Sequence, residues 1–127
     1  MIKQTIDVNG YWKVIVYYDI NYNLFNHIAT DLIHIGTQNK SINRIYKNMI
    51  TNKAKAVTIS NIDLYTSIVL FNKHKDKYDY INSIVHEAEH IKQAMLKGYN
   101  IKDEGEHPAY TIGYLVMKMM MFLKMLK

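Results

Sequence analysis

The residues His86-Glu87-Ala88-Glu89-His90 have a spacing that metal chemistry requires. On a helix, residues four apart lie one turn apart on one face, so the imidazoles of His86 and His90 can reach a single Zn²⁺ at roughly 2.0–2.1 Å. Glu87 is rotated by about 100° from His86, which sets its carboxylate beside the metal. The motif therefore predicts a zinc site with His86 and His90 as ligands and Glu87 as the catalytic general base.

A catalytic zinc site needs a third protein ligand, which we expect after a turn of the chain at Gly98. All four glutamates of the chain fall between residues 87 and 106. We favour Glu106, because Pro108 suits the first turn of a following helix and would fix Glu106 at the start of that helix. The neighbouring alternatives are Asp103, Glu104 and His107. An acidic run at a helix N-terminus is also favoured by the helix dipole alone.

The positions of apolar side chains around the motif predict a helix over residues 77–97. One helical face would hold Ile81, Ile84, Val85, Ala88, Ile91 and Met95. His86 and His90 fall outside this face and are expected to look toward a cleft or solvent. This placement argues against two histidines packed in a core, and leaves two unrelated surface histidines as the alternative interpretation.

The motif together with Glu106-His107-Pro108-Ala109-Tyr110 resembles the zincin metallopeptidases of the gluzincin type. More narrowly, it is similar to the small zinc-peptidase-like domains of phages and mobile elements. The resemblance spans residues 77–116, about a third of the chain. It implies a His, His, Glu zinc site made by His86, His90 and Glu106. Gln93 and Leu96 stand where the elongated metzincin motif has Gly and His, so that subclass is excluded.

The same resemblance implies hydrolysis of a peptide bond in a protein or peptide substrate. Tyr110 or His107 is the candidate hydrogen-bond donor to the oxyanion, since both neighbour the third ligand, although Tyr110 also suits a packing role. In zincins a strand beside the active-site helix holds an extended substrate, which points to Leu64–Asn72 as the substrate-binding edge. The sequence does not decide between zinc and other divalent metals.

Composition narrows the other functional classes. The chain has 127 residues, which we interpret as a single zincin-like domain over residues 1–127, and it lacks cysteine, which excludes disulfides and thiolate zinc sites. Residues 1–5 lack the apolar segment of a signal peptide, so we expect a cytoplasmic protein. The resemblance to phage domains implies a bacterial or phage-infected cell, with virion association as an alternative. The net charge of +5 comes from fifteen scattered lysines and Arg44, a distribution that favours solubility over nucleic-acid binding.

The remaining segments predict an α+β fold, with a small antiparallel sheet from two hairpins and about four helices. Asn9-Gly10 suits a type I′ turn between Thr5–Val8 and Tyr11–Tyr18, and Ala56–Ser60 precedes Leu64–Asn72 in a second hairpin. A helix ending near Ile35 carries His27, Asp31 and His34 on one face, which we interpret as a polar surface rather than a second metal site.

The last helix, from Pro108 to about Met125, is rich in methionine. Lys118 and Lys124 interrupt a run that is too short to span a membrane. This helix is expected to join the core or to provide a surface for homo-oligomers or other assemblies, because methionine suits adaptable contacts. The alternative to a peptidase is therefore a non-catalytic structural or interaction protein, such as a virion component or the partner of a regulator.

Overall fold

The computed structural model describes residues 1–100, 102 and 105–124, without the side chains of Glu106 and Phe122. Within these residues the fold is α+β, as predicted, with one four-stranded sheet and four α-helices. A short 3-10 turn, Tyr22–Leu24, precedes the first helix. In chain order the elements are β1 (Ile2–Val8), β2 (Trp12–Tyr18), α1 (Phe25–His34), α2 (Asn39–Ile50), β3 (Ala56–Asn61), β4 (Thr66–Phe71), α3 (Lys77–Tyr99) and α4 (Glu106–Leu123).

The first hairpin forms where the sequence predicts it. Asn9 and Gly10 both have positive φ, 55° and 74°, as a type I′ turn requires. The turn closes with a hydrogen bond from Tyr11 N to Val8 O of 3.0 Å. β1 then pairs antiparallel with β2, from Val8 opposite Trp12 to Ile2 opposite Tyr18.

The prediction of an all-antiparallel sheet is wrong. The strand order is β1-β2-β4-β3, and β2 pairs with β4 in parallel. Parallel neighbours need a long crossover connection, which α1, α2 and β3 supply here. The prediction that Leu64–Asn72 forms the substrate-binding edge is also wrong, because β4 lies inside the sheet. Residues 67–71 are all buried, and residues 68–71 form a continuous apolar run, which is typical of an inner strand.

Two hydrophobic cores flank the sheet. α1 and α2 cover one face, where Ile28 and Leu32 pack against Ile15 and Leu70. α3 and α4 cover the other face, where Ile84 and Ile91 join a core that includes Trp12, Val14, Val69, Phe71 and Leu115. Within the described part of the chain, no helix has the length and apolar character needed to cross a membrane.

The helix that carries the motif is longer than predicted. It begins after the N-cap Asp76, whose side chain accepts a hydrogen bond of 2.8 Å from Asp79 N. It ends at Tyr99, and Asn100 adopts the left-handed conformation with φ 56°, so the prediction of a turn at Gly98 is wrong. Gly98 is helical, and a Cβ there would lie 3.1 Å from both Ile62 Cγ2 and Trp12 Cζ3. The glycine therefore permits close packing rather than a turn.

Candidate metal centre

α3 presents the motif as its periodicity predicts. Ile84, Ala88 and Ile91 are buried against the sheet, whereas His86 and His90 are exposed. Val85, expected on the apolar face, is 46% exposed. The helix therefore holds both imidazoles at the protein surface, where an ion could reach them.

The two imidazoles converge. Nε2 of His86 lies 3.2 Å from Nε2 of His90, and the ring centroids are 4.8 Å apart. Two ligand atoms of a tetrahedral ion at roughly 2.0–2.1 Å lie about 3.3 Å from each other. The observed separation fits two ligands of one Zn²⁺. The same two nitrogen atoms are also within hydrogen-bond distance of each other.

Glu87 differs from the two histidines in its environment. The residue is 4% exposed, and its Oε1 accepts a hydrogen bond of 2.8 Å from Thr58 Oγ1 on β3. Its other oxygen, Oε2, lies 4.0 Å from His86 Nε2. The sheet therefore holds one carboxylate oxygen while the second stays beside the imidazole pair.

A small cleft of about 300 Å³ opens next to Glu87, between α3 and the start of β3. Its lining residues are Lys55, Ala56, Asn82, Ser83, His86 and Glu87. Lys55 Nζ donates to both carboxylate oxygens of Asp79, at 3.0 and 3.1 Å, and this hydrogen bonding lowers the pKa of Asp79. The ion pair ties the chain just before β3 to the first turn of α3, which are the two walls of the cleft.

The prediction of Glu106 as the third metal ligand is not tested by the structure. Glu106 is the first residue of α4, as Pro108 predicts, but its side chain is outside the described residues, as are Asp103 and Glu104. His107 is exposed and lines a separate pocket of about 350 Å³. Among the described residues, no group of three His, Cys, Asp or Glu side chains is arranged to hold a metal ion.

Tyr110, the predicted oxyanion donor, lies on the surface of α4 with 73% of the residue exposed. The face of α1 that carries Asp31 behaves as a polar surface, as expected. Asp31 pairs with Lys3 at 3.1 Å and accepts a hydrogen bond from the Tyr17 hydroxyl. Asp31 therefore has two protein partners, Lys3 and Tyr17.

Sequence reasoning missed the contribution of β3 to the site. Thr58 is 29 residues from Glu87 in sequence, and no local pattern relates them. The one available signal is the alternation along β3 of small or polar Ala56, Thr58 and Ser60 with apolar Val57 and Ile59. A strand with a partly polar face suggests a neighbouring polar site.

Comparison with known proteins adds no relative. No protein-family model matches the sequence, no curated protein matches it, and no solved structure matches it. The class of this site therefore rests on its geometry, which is two converging imidazoles on a helix beside a buried glutamate held by a strand. The likeness to zincins stays an expectation from the motif.

Proposed function

We propose that this chain is a zinc-dependent peptidase. The observation that carries the proposal is the 3.2 Å separation of His86 Nε2 and His90 Nε2, with the Glu87 carboxylate beside them. A hydrogen bond between the two rings also accounts for their convergence, and the buried carboxylate of Glu87 beside them is what favours a metal site with a catalytic role. A buried glutamate held by a single hydroxyl, with its second oxygen toward the imidazoles, suits a proton-transfer role.

The proposed metal ligands are His86, His90 and Glu106. Zinc bound there would polarise a peptide carbonyl and make a water molecule more acidic. His86 and His90 orient the site from one face of α3, and Glu106 would approach it from the start of α4. A site of this composition keeps one position open for substrate or water, as catalytic zinc sites do.

In this proposal Glu87 moves protons. Its Oε2 accepts a proton from the attacking water and then passes it to the leaving amine nitrogen, while Oε1 stays held by Thr58. The held oxygen limits the rotation of the carboxylate, so Oε2 is already oriented before substrate binds. Tyr110 remains a proposed donor to the oxyanion, by approach of its hydroxyl to the open position.

The substrate class follows from the strand beside the cleft. β3 is at the edge of the sheet, and Thr58 brings that edge to Glu87. An edge strand offers free main-chain groups that pair with an extended peptide. We therefore assign the substrate-binding edge to β3 instead of β4, and propose an extended protein or peptide segment as substrate.

The test is metal content and turnover measured on the same purified protein. About one zinc per chain is expected by elemental analysis, lost in the His86→Ala/His90→Ala variant and retained in His34→Ala, which removes an exposed histidine of α1. Glu87→Gln should keep zinc and lose at least about a hundredfold in hydrolysis of denatured protein, the scale of general-base catalysis. Glu89→Gln, whose side chain contacts Lys92 and Gln93, should stay active. Unchanged hydrolysis by Glu87→Gln would disprove the mechanism.

A second candidate is a non-catalytic assembly protein that uses zinc only for stability. The observation in its favour is the surface of α4, where Tyr110, Met117 and Met121 are each more than half exposed. Zinc-loaded wild-type protein that hydrolyses no peptide bond, and that forms a discrete assembly, would favour this candidate over the peptidase.

A further inference from the structure

Among the described residues, no strand pairs with the outer edge of β1. The carbonyl of Val8 accepts from Tyr11 N and so faces β2. Because an antiparallel ladder alternates inward and outward groups, the main-chain N–H and C=O groups of Lys3, Thr5 and Asp7 point away from the sheet. The Tyr114 hydroxyl of α4 donates to Asp7 O at 3.3 Å, which agrees with an outward carbonyl. An edge of this kind is a template for another strand.

A groove of about 410 Å³ runs along this edge. Residues 3–7 of β1 form one wall, and Lys118 and Met121 of α4 form the other. The Gln4 side chain donates to Lys118 O at 3.1 Å, which anchors α4 to the inner face of β1. Met121, which lines the groove, is 57% exposed, and Met117, four residues earlier on α4, is 51% exposed. The groove thus offers main-chain pairing on one side and apolar contact on the other.

We propose that a second copy of this chain occupies the groove, with the two β1 strands paired antiparallel about a twofold axis at Thr5. In this register Lys3 of each copy faces Asp7 of the other, and Thr5 faces its own equivalent. The three pairs involve the residues whose main-chain groups point outward, so they are the hydrogen-bonded pairs of the new ladder. The two sheets would then join into one sheet of eight strands.

Charge complementarity selects this register. Lys3, Thr5 and Asp7 all lie on the exposed face of β1, and opposite charges directly across a strand pair are favourable. Lys3 is 48% exposed beside its partner Asp31, and Asp7 uses Oδ1 to accept from Gly10 N at 2.9 Å. A shift by two residues in either direction would place Thr5 or Asn9 opposite Lys3 and lose both charge pairs.

Sedimentation velocity over a range of concentrations tests the proposal by charge reversal. Wild-type protein should dimerise, and Lys3→Asp or Asp7→Lys should weaken the dimer at least about tenfold, because each places like charges opposite each other twice. The double variant Lys3→Asp/Asp7→Lys restores opposite charges and should recover the dimer. Lys53→Asp, the same charge change in an exposed loop, should leave the dimer intact.

Amide hydrogen exchange gives a readout that does not depend on variants. The amide of Thr5 should be protected only at concentrations where the dimer forms, whereas the amides of Gln4 and Ile6, which face β2, should be protected throughout. A monomer at all concentrations up to about 1 mM would overturn the proposal. So would a dimer that is indifferent to both single reversals, a double variant that fails to recover it, or fast exchange of Thr5 in the dimer. None of these results depends on zinc.

Discussion

Three residues of α3 that lie within five positions need different environments. His86 and His90 must remain accessible to an ion, and both are exposed, whereas Glu87 is buried. The roughly 100° rotation between successive helical residues separates these environments without any irregularity in the helix. This part of the site follows from the sequence, because the spacing of the motif and the apolar face of the helix are both local patterns.

The contact between Thr58 and Glu87 cannot be predicted from local sequence patterns. It depends on the position of β3 against α3, which only the assembled sheet determines. If the hydroxyl donor is removed, the buried carboxylate still pays the cost of desolvation but no longer gains a hydrogen bond. Removal of the donor should therefore lower the stability of the protein by a measurable amount.

We predict that Thr58→Val lowers the free energy of unfolding by about 1–3 kcal/mol, because Glu87 Oε1 loses its hydroxyl donor. Valine suits a strand as well as threonine does, so the main chain of β3 should be unaffected. Chemical denaturation at neutral pH measures the change. If the chain is a peptidase, kcat should fall more than KM changes, because the orientation of Glu87 is what is lost.

The control for this prediction is Thr58→Ser, which keeps the hydroxyl and removes only a methyl group. It should retain most of the stability and turnover lost in Thr58→Val. Because Thr58→Val keeps the methyl group and loses the hydroxyl, unchanged stability in that variant would contradict a hydrogen-bonding role, whereas any loss in Thr58→Ser measures the packing of the methyl group separately.

At the scale of elements, the sequence predicts the helices and hairpins better than their arrangement. The turn at Asn9-Gly10, the cap at Asp76 and the helix start near Pro108 are all encoded by a few adjacent residues. The parallel pairing of β2 with β4 is not encoded by adjacent residues. Each hairpin is compatible with joining the other by either of its strands, and the choice depends on how the helices cover the sheet.

Gly98 is a position where a local sequence rule for helix ends fails because tertiary packing determines the structure. Glycine late in a helix usually marks its end, yet here the helix passes through Gly98 and ends at Tyr99. The Trp12 ring is the reason, because it is 1% exposed and held by a hydrogen bond of 3.0 Å from Nε1 to Ser67 Oγ. A Cβ at position 98 would lie 3.1 Å from this ring, so the ring would have to shift by a few tenths of an ångström to accept it.

We predict that Gly98→Ala destabilises the protein by about 1 kcal/mol. Alanine is favoured over glycine in a helix by about 1 kcal/mol, but overpacking against fixed neighbours costs about 1–3 kcal/mol. Gly113→Ala in α4 is the matched control, since a Cβ there meets nothing within 4 Å, and it should stabilise by about 0.5–1 kcal/mol. Thermal unfolding compares the two. Equal stabilisation by both changes would show that Trp12 and Ile62 yield to the added methyl group.

At the scale of the whole molecule, the two motif histidines lie apart from the cores that hold the fold together. The two cores on either side of the sheet are built from apolar side chains that do not include the motif histidines. A chain of this length buries enough surface to fold without metal or disulfides. The fold and the site are therefore separable in an experiment, in contrast to small zinc domains whose folding requires the ion.

We predict that removal of metal with a chelator leaves the protein folded, with unchanged far-ultraviolet circular dichroism. Zinc at a hundred times its dissociation constant should then add about 2.7 kcal/mol by mass action. For a domain of this size that is a rise in Tm on the order of 10 °C. The His86→Ala/His90→Ala variant should unfold near the temperature of the metal-free protein and gain nothing from zinc. Loss of circular dichroism on chelation of the wild-type protein would contradict this expectation, since it would mean that the metal, and not the two cores, maintains the fold.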